Sequence, residues 1–198
     1  MWPGANRSQH WPHPGNAPPA QRRTASRLSY PTIQRRWTMA KYGFRPVTRD
    51  DFPMLAGWLR QPAVAEWWKD TDQQIASLGE ALDDPAMHLL IVLRENQPVA
   101  YVQHSVAAHW NEPHYDAAGT PDGTIAVDVF SGPDGMGHGG EWLNAVAEHL
   151  LERAPALIID PDPANLRAIR AYEKAGFQGT RVVPNEDGEP ARIMTRHR

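Results

Sequence analysis

The sequence predicts an α/β fold, a mixed central sheet with helices on its faces. Two observations carry that expectation. Patterned segments run along residues 42–195 in the order strand, helices, hairpin, strand, helix, strand, helix and two closing strands. A glycine-dense stretch, Gly132 to Gly140, separates a β-branched run from an amphipathic one, as a strand-to-helix turn does.

The elements follow in order. Tyr42-Gly43-Phe44-Arg45-Pro46-Val47 alternates as a first strand, and Pro46 marks it as an edge. Asp50 or Asp51 caps a helix with Pro53 in its first turn, and Leu55, Trp58 and Leu59 share one face of it. Gln61-Pro62 breaks that helix. A second short helix starts over Val64 to Trp68, and a third helical stretch covers Asp70 to Leu82. Met87 to Arg94 is a buried strand, Glu95-Asn96-Gln97-Pro98 a hairpin turn, and Val99 to Ala108 the return strand. Residues 109–123 form a polar loop dotted with aromatics, and Thr124 to Phe130 is a further strand. On the helix after the glycines, Trp142, Val146 and Leu150 share a face with Leu143, Ala147 and Leu151. Ala156 to Asp160 is a short buried strand. Asp162 and Pro163 are the N-cap and first-turn proline of a helix ending at Gly176. Phe177 to Val183 and Ala191 to Thr195 close the chain as a pair around Asn185-Glu186-Asp187-Gly188.

At 198 residues the chain suits one domain, residues 39–198, preceded by a segment of different composition. Residues 1–38 are rich in Pro, Arg, Ser, Gln and Asn, show neither period, and read as disordered. They fit a basic tail, a transit-type peptide, or an extension upstream of a natural start at Met39-Ala40-Lys41, the last of these best. Charge divides the same way. Residues 1–49 hold eight Arg, one Lys and no acid, whereas the remainder holds 11 basic and 23 acidic residues, a balance of -12. An acidic globular part repels nucleic acid and favours cationic ligands. The chain has no cysteine, which removes disulfides, thiolate metal sites and a cysteine nucleophile and fits a reducing cytoplasm. No apolar run approaches the ~20 residues that span a bilayer.

Two motifs carry chemistry. Gly135-Met136-Gly137-His138-Gly139-Gly140 precedes a helix, where free N–H groups and the helix dipole bind phosphate. It lacks the Gly-Lys-Ser/Thr of a Walker loop and the opening strand-helix-strand unit of a Rossmann fingerprint; alone it is equally a plain turn. The second is Asp162-Pro163-Ala164-Asn165-Leu166-Arg167-Ala168-Ile169-Arg170-Ala171-Tyr172-Glu173-Lys174-Ala175-Gly176-Phe177. Asn165, one turn inside the helix, and Tyr172, seven residues on, lie on nearly one face. Taken alone, Tyr172 reads as a core aromatic.

Together, the loop, its helix, the short strand and the last helix resemble the acetyl-CoA site of the GNAT acetyltransferases over residues 124–178. The resemblance implies the GNAT fold, a mostly antiparallel sheet flanked by helices, and an N-acetyltransferase domain over 39–198 that uses acetyl-CoA and no metal. It implies that Val129, Phe130, Gly135, Met136, Gly137, His138, Gly139, Gly140, Asn165 and Arg167 bind the cofactor, and that Tyr172 protonates the departing thiolate. Two positions depart from the family pattern: Asp134 where Gln or Arg is usual, and Met136 in place of a basic residue. A carboxylate beside a diphosphate is unfavourable unless it points to solvent.

Val64-Ala65-Glu66-Trp67-Trp68, Tyr101-Val102-Gln103 and Ile125-Ala126-Val127-Asp128 resemble segments of the aminoglycoside 6'-N-acetyltransferases within this family. Siderophore lysine and hydroxylysine N-acyltransferases share the branch but tend to carry His where this chain has Asp128. Alternation puts Asp128 on one face with Ala126 and Phe130, and Ile125, Val127 and Val129 on the other. A carboxylate there can bind an ammonium and take its proton, while N–H groups near Val129 stabilise the oxyanion. The competing reading is a strand-edge carboxylate paired with an Arg. Attack is expected to be direct, without an acyl-enzyme, since no Ser-His pair is evident.

Glu66, Asp116 and Asp122 can add charge to the acceptor pocket, and Trp67, Trp68, Trp110 and Tyr115 can stack on it. Only one of Trp67 and Trp68 is expected to touch ligand, its neighbour packing in the core. Tyr101 and Gln103 complete the expected acceptor set, with Gln103 equally a solvent-face residue. His104, His109, His114 and His138 show no ligand-pair spacing and read as scattered surface histidines. The expected partner is a small cationic amine, with neither nucleic acid nor membrane. Monomer and homodimer both stay open. A binder of acyl-CoA or cationic drugs that has lost turnover is the reading from another class.

Overall fold

A computed structural model of the chain describes residues 41–109, 113–116, 118–185 and 187–198. The segment 1–38, the start at Met39, Trp110 and the side chain of Asp116 lie outside the described residues.

Seven strands form one sheet in the order β1-β2-β3-β4-β5-β7-β6. They are β1 (Tyr42–Pro46), β2 (His88–Arg94), β3 (Gln97–Val106), β4 (Ile125–Ser131), β5 (Ala156–Ile159), β6 (Gln178–Pro184) and β7 (Pro190–His197). Every neighbouring pair is antiparallel except β4 and β5. The helices are α1 (Phe52–Leu59), α2 (Pro62–Ala65), α3 (Thr71–Asp83), α4 (Pro113–Asp116), α5 (Gly139–Leu151) and α6 (Leu166–Lys174). No helix among the described residues is long and apolar enough to cross a membrane.

Pro46 does end an edge strand, as a residue without an N–H should. The β2–β3 turn is tighter than the sequence suggests. Only Glu95 and Asn96 form it, at φ 51° and 66°, the left-handed pair that matches strand twist in a two-residue hairpin. Pro98 is then accommodated within β3, where the register shifts opposite Val92 and Leu93. The first helix is not capped by the side chain of Asp50 or Asp51. Thr48 caps a 3-10 turn, Arg49–Asp51, and the Asp51 carboxylate reaches back to the Thr48 N–H at 2.9 Å while pairing with both nitrogens of Arg45.

The sheet separates two apolar layers. Val92, Val102, Val127, Val129, Leu157 and Ile159 face α5 and α6. Leu89, Ile91, Tyr101 and Phe130 face α1 and α3, with Trp58 and Trp68 between. Full burial of each such side chain contributes about 1.5–3 kcal/mol. The alternation expected along β4 is observed: Val127 and Val129 enter the first layer and Phe130 the second.

The parallel pair β4–β5 positions the site. It is bonded only at Ile125↔Leu157 and Ala126↔Ile158, while β4 stays paired with β3 through Ser131. From Val127 onward β4 therefore presents an unpaired edge on this side, while β5 runs on to Ile159 paired only with β7.

Candidate active site

A groove of about 590 Å³ opens along this edge. Its walls are the loop Met136–Gly140 with the start of α5, the β4 residues Val129 to Ser131, one face of α6, and Ala63, Val64, Trp67 and Trp68 beside α2. First-turn amides of a helix have no intrahelical acceptor, so the start of α5 offers N–H groups with the positive end of its dipole. His138 is its N-cap and makes no side-chain cap bond. Gly137 stands at φ 82°, a left-handed conformation that shapes the loop ahead of the helix. Gly135 does not line the groove, contrary to expectation. It is buried against β3, where a Cβ would stand 2.0 Å from the Val99 carbonyl oxygen, so this glycine serves chain packing. Asp134 is exposed and is not part of the groove wall, which removes the carboxylate conflict anticipated for it.

The basic groups come from α6 instead of the loop. Arg167, Arg170 and Lys174 line the groove at helical spacing. Arg170 and Lys174 are not among the expected cofactor residues, although their spacing from Arg167 is that of one helix face. The guanidinium of Arg167 donates to the Ala63 carbonyl at 2.6 Å, tying α6 to α2 at the groove. Glu141, in the first turn of α5, also lines it and is paired with Lys41 and with the Tyr42 hydroxyl.

Asn165 is not inside the helix. It is the N-cap, and its side-chain oxygen accepts the Ala168 N–H at 3.1 Å, so that oxygen is committed to the helix start. Asp162, expected as the cap, accepts the Ala164 N–H at 2.7 Å in the preceding turn. Val129 and Phe130 are buried, so they can meet a cofactor chiefly through the backbone edge of β4.

Tyr172 is 5 % exposed, packs near Phe177 and still lines the groove. Burial raises its pKa most, and the charges of Asp128 and Asp160 raise it further against an opposing effect of Arg167. The phenol therefore stays protonated at neutral pH, and both carboxylates lie near enough to be felt. The sequence alone does not single out Asp160, because its place beside Asp128 follows from the β4–β5 pairing. Asp128 and Asp160 each lie two residues beyond the last β4–β5 pair, Ala126↔Ile158, which puts them on one face. Asp128 is half-buried.

The expected acceptor residues divide. Glu66 is exposed and Trp67 half-buried on the groove wall. Trp68 is the core partner of the pair, 5 % exposed and edge-on to Phe130 with ring centroids 5.0 Å apart. Tyr101, expected in the acceptor set, has no exposed surface, so it does not meet the acceptor directly. Its ring lies on Phe130 at 4.7 Å, and its hydroxyl donates to Gln103 Oε1 at 2.8 Å. Gln103 is also buried, which excludes the solvent-face reading, and donates through Nε2 to Asp128 Oδ2 at 3.1 Å. Tyr115 donates to Asp160 Oδ1 at 3.3 Å, and His114 Nε2 lies 3.1 Å from Asp160 Oδ2. These bonds dock α4 onto the end of β5.

The surface-histidine expectation fails for His104 and His114, which are 4 % and 3 % exposed. His104 stands on β3 with its ring 5.1 Å from that of His88, and burial, then the His88 and His149 charges, lower its pKa to about 3. It is a neutral core residue on the face opposite Asp128. Among the described residues no group of three His, Asp or Glu is placed to hold a metal ion.

Comparison with known proteins agrees with this geometry. The model of the acetyltransferase (GNAT) domain matches residues 47–184. An aminoglycoside N(6')-acetyltransferase type 1 of Serratia marcescens is 30% identical over 193 residues, covering 86% of this chain and 95% of its own length. Its namesake in Klebsiella pneumoniae is 31% identical over 166 residues, covering 78% and 82%. The crystal structure of aminoglycoside acetyltransferase AAC(6')-Ib with coenzyme A and kanamycin superposes with a TM-score of 0.65 at 30% identity, covering 79% of this chain and 95% of that one. The chain belongs to the GNAT family and is an acetyl-CoA-dependent N-acetyltransferase.

Proposed function

We propose that the acceptor is the 6'-amino group of an aminoglycoside, acetylated directly from acetyl-CoA. The observation that carries this reading is the juxtaposition at the β4–β5 gap. There β4 carries the half-buried Asp128, bonded to Gln103 at 3.1 Å, directly ahead of Val129 and Phe130 on the groove wall, and the buried phenol of Tyr172 lines the same groove. Relatives sharing about 30% identity along most of the chain carry that activity in their names.

The chemistry follows from charge. An acceptor amine arrives as an ammonium, and Asp128 binds it and accepts its proton, which frees the nitrogen lone pair to attack. Asp160, on the same face, and exposed Glu66 add negative charge for a polycation. Backbone N–H groups at the open edge of β4 near Val129 stabilise the tetrahedral oxyanion. Tyr172 then donates its proton to the departing CoA sulfur. The start of α5, with Arg170 and Lys174, holds the donor's diphosphate, and Met136, Gly137, His138, Gly139 and Gly140 surround it. Trp67 is the aromatic surface on the acceptor side of the groove.

The test is thiol release from acetyl-CoA with kanamycin or tobramycin, beside lysine and hydroxylysine as siderophore-type amines. Aminoglycosides should release thiol and yield a product acetylated at the 6'-nitrogen by mass spectrometry and NMR. Silence with every aminoglycoside at millimolar levels sinks the acceptor assignment, and release with hydroxylysine alone transfers it to siderophore chemistry.

A further inference from the structure

Tyr101 and Gln103, two residues apart on β3, stand opposite Phe130 and Asp128 in the β3–β4 register. All four side chains project to one face, and three of them form a directional chain. A carboxylate only accepts hydrogen bonds, so Gln103 must turn its NH2 group to Asp128 and its carbonyl to Tyr101. The Tyr101 hydroxyl must then be the donor at the far end, as the distances of 2.8 Å and 3.1 Å place it.

We propose that Tyr101 and Gln103 are positioning residues, a two-bond relay that holds the carboxylate of Asp128 in the orientation proton abstraction needs. The proposal rests on the reading of Asp128 as the general base. An aspartate in a half-open gap has rotameric freedom, and a base must point its lone pair within hydrogen-bond reach of the substrate proton. Gln103 engages one oxygen of Asp128, which determines where the second stands. Gln103 is itself held by Tyr101. Without the phenol, the buried amide carbonyl would lose its donor, and the amide could flip to set its oxygen against the carboxylate. Tyr101 cannot move in turn. Its ring is stacked on Phe130 and edge-on to Trp68 at 6.5 Å, in the layer beneath α1 and α3. Burial, and then the charge of Asp128, hold its pKa well above the usual phenol value, so it remains a donor. Tyr101 and Gln103 thus have a role that does not require them to touch the acceptor.

The experiment is a double-mutant cycle in the full-length enzyme with the amine of highest turnover, using Tyr101→Phe, Gln103→Met and both together. Tyr101→Phe keeps the aromatic stack, and Gln103→Met keeps the volume. Acetyl-CoA titration calorimetry on the same samples verifies that the donor groove is folded. Gln103→Met should lower kcat about tenfold to a hundredfold, the scale of a hydrogen bond to a charged group, and Tyr101→Phe about threefold to tenfold, the scale of a neutral one, both with acetyl-CoA affinity within about twofold. The double variant should be no slower than Gln103→Met alone, because Tyr101 acts only through Gln103. Wild-type kcat in Tyr101→Phe, or additive losses in the double variant, overturn the relay. So does Gln103→Met raising the KM of the amine with kcat intact, which would make Gln103 an acceptor contact. Asp128→Asn in the same series separates the two claims: if it is crippled while Tyr101→Phe is silent, only the relay falls; if it keeps full turnover, the base falls and takes the relay with it.

Discussion

The donor groove and the acceptor side are built on different principles. The donor groove is largely one continuous stretch of chain, from β4 through the glycine loop and α5 to the end of α6, and it offers backbone amides and one stripe of basic side chains. The proposed acceptor side draws on Glu66 and Trp67 after α2, Asp128 on β4, Asp160 after β5 and the docked α4. Its chemistry rests on side chains from distant parts of the sequence, held by other side chains. A backbone site tolerates many residue types provided the chain path is kept. A side-chain site is sensitive to each supporting contact.

That contrast is broken or sharpened most strongly at Tyr172, where the two halves meet. Tyr172→Phe removes the proposed proton donor for the thiolate and leaves the ring in its layer. In single-turnover experiments the rate should fall about 10²-fold, the low end for a general acid, with acetyl-CoA affinity nearly unchanged. An unaltered single-turnover rate would make Tyr172 a core aromatic and leave the donor groove without a side-chain acid.

The next effect lies wholly on the donor side. Arg170 and Lys174 are exposed, so each contributes only about 0.2–1 kcal/mol to anion binding. Replacing both by Gln should raise the KM for acetyl-CoA about tenfold at low salt while kcat and the KM for the amine hold. The loss should shrink in 0.5 M salt, where screening already weakens the wild type. A salt-independent loss, or an effect on the amine, would remove these residues from the diphosphate site.

The same division explains what could be read from the sequence. The donor motif is local, so spacing places the loop before α5, and the resemblance of the combined motifs implies Tyr172 at the groove, which it lines. Strand alternation, also local, put Asp128 on the correct face. What failed depended on partners. Asn165 read as a helix-interior amide because the turn held by Asp162 could not be anticipated. Tyr101 and Gln103 read as acceptor contacts because a polar pair beside a site looks the same whether it faces the ligand or supports the residue that does. His114 reads as a surface residue, and Asp160 as no more than the end of a strand, because their meeting requires knowing that α4 docks on the end of β5. The basic residues of α6 are legible from their helical spacing, but the family pattern points to the loop for basic groups, and there this chain has Asp134 and Met136.

The smallest predicted effect isolates the backbone component of the donor groove. Gly137 and Gly188 have nearly the same left-handed conformation, φ 82° and 80°, and at both a Cβ would meet nothing within 4 Å. They differ in location: Gly137 lines the groove and Gly188 lies in the turn between β6 and β7. Alanine at either position should cost about 1–2 kcal/mol of backbone strain and lower Tm by about 2–8 °C. Only Gly137→Ala sets a methyl group on the groove wall proposed for the donor's diphosphate, so only that variant should weaken acetyl-CoA binding, by about threefold to tenfold on the scale of a modest steric misfit. Calorimetric titration of both variants decides the matter. Equal affinities would mean that the conformation of Gly137 serves the chain alone, and the diphosphate would then be held by the start of α5 and the α6 cations without close approach to the loop.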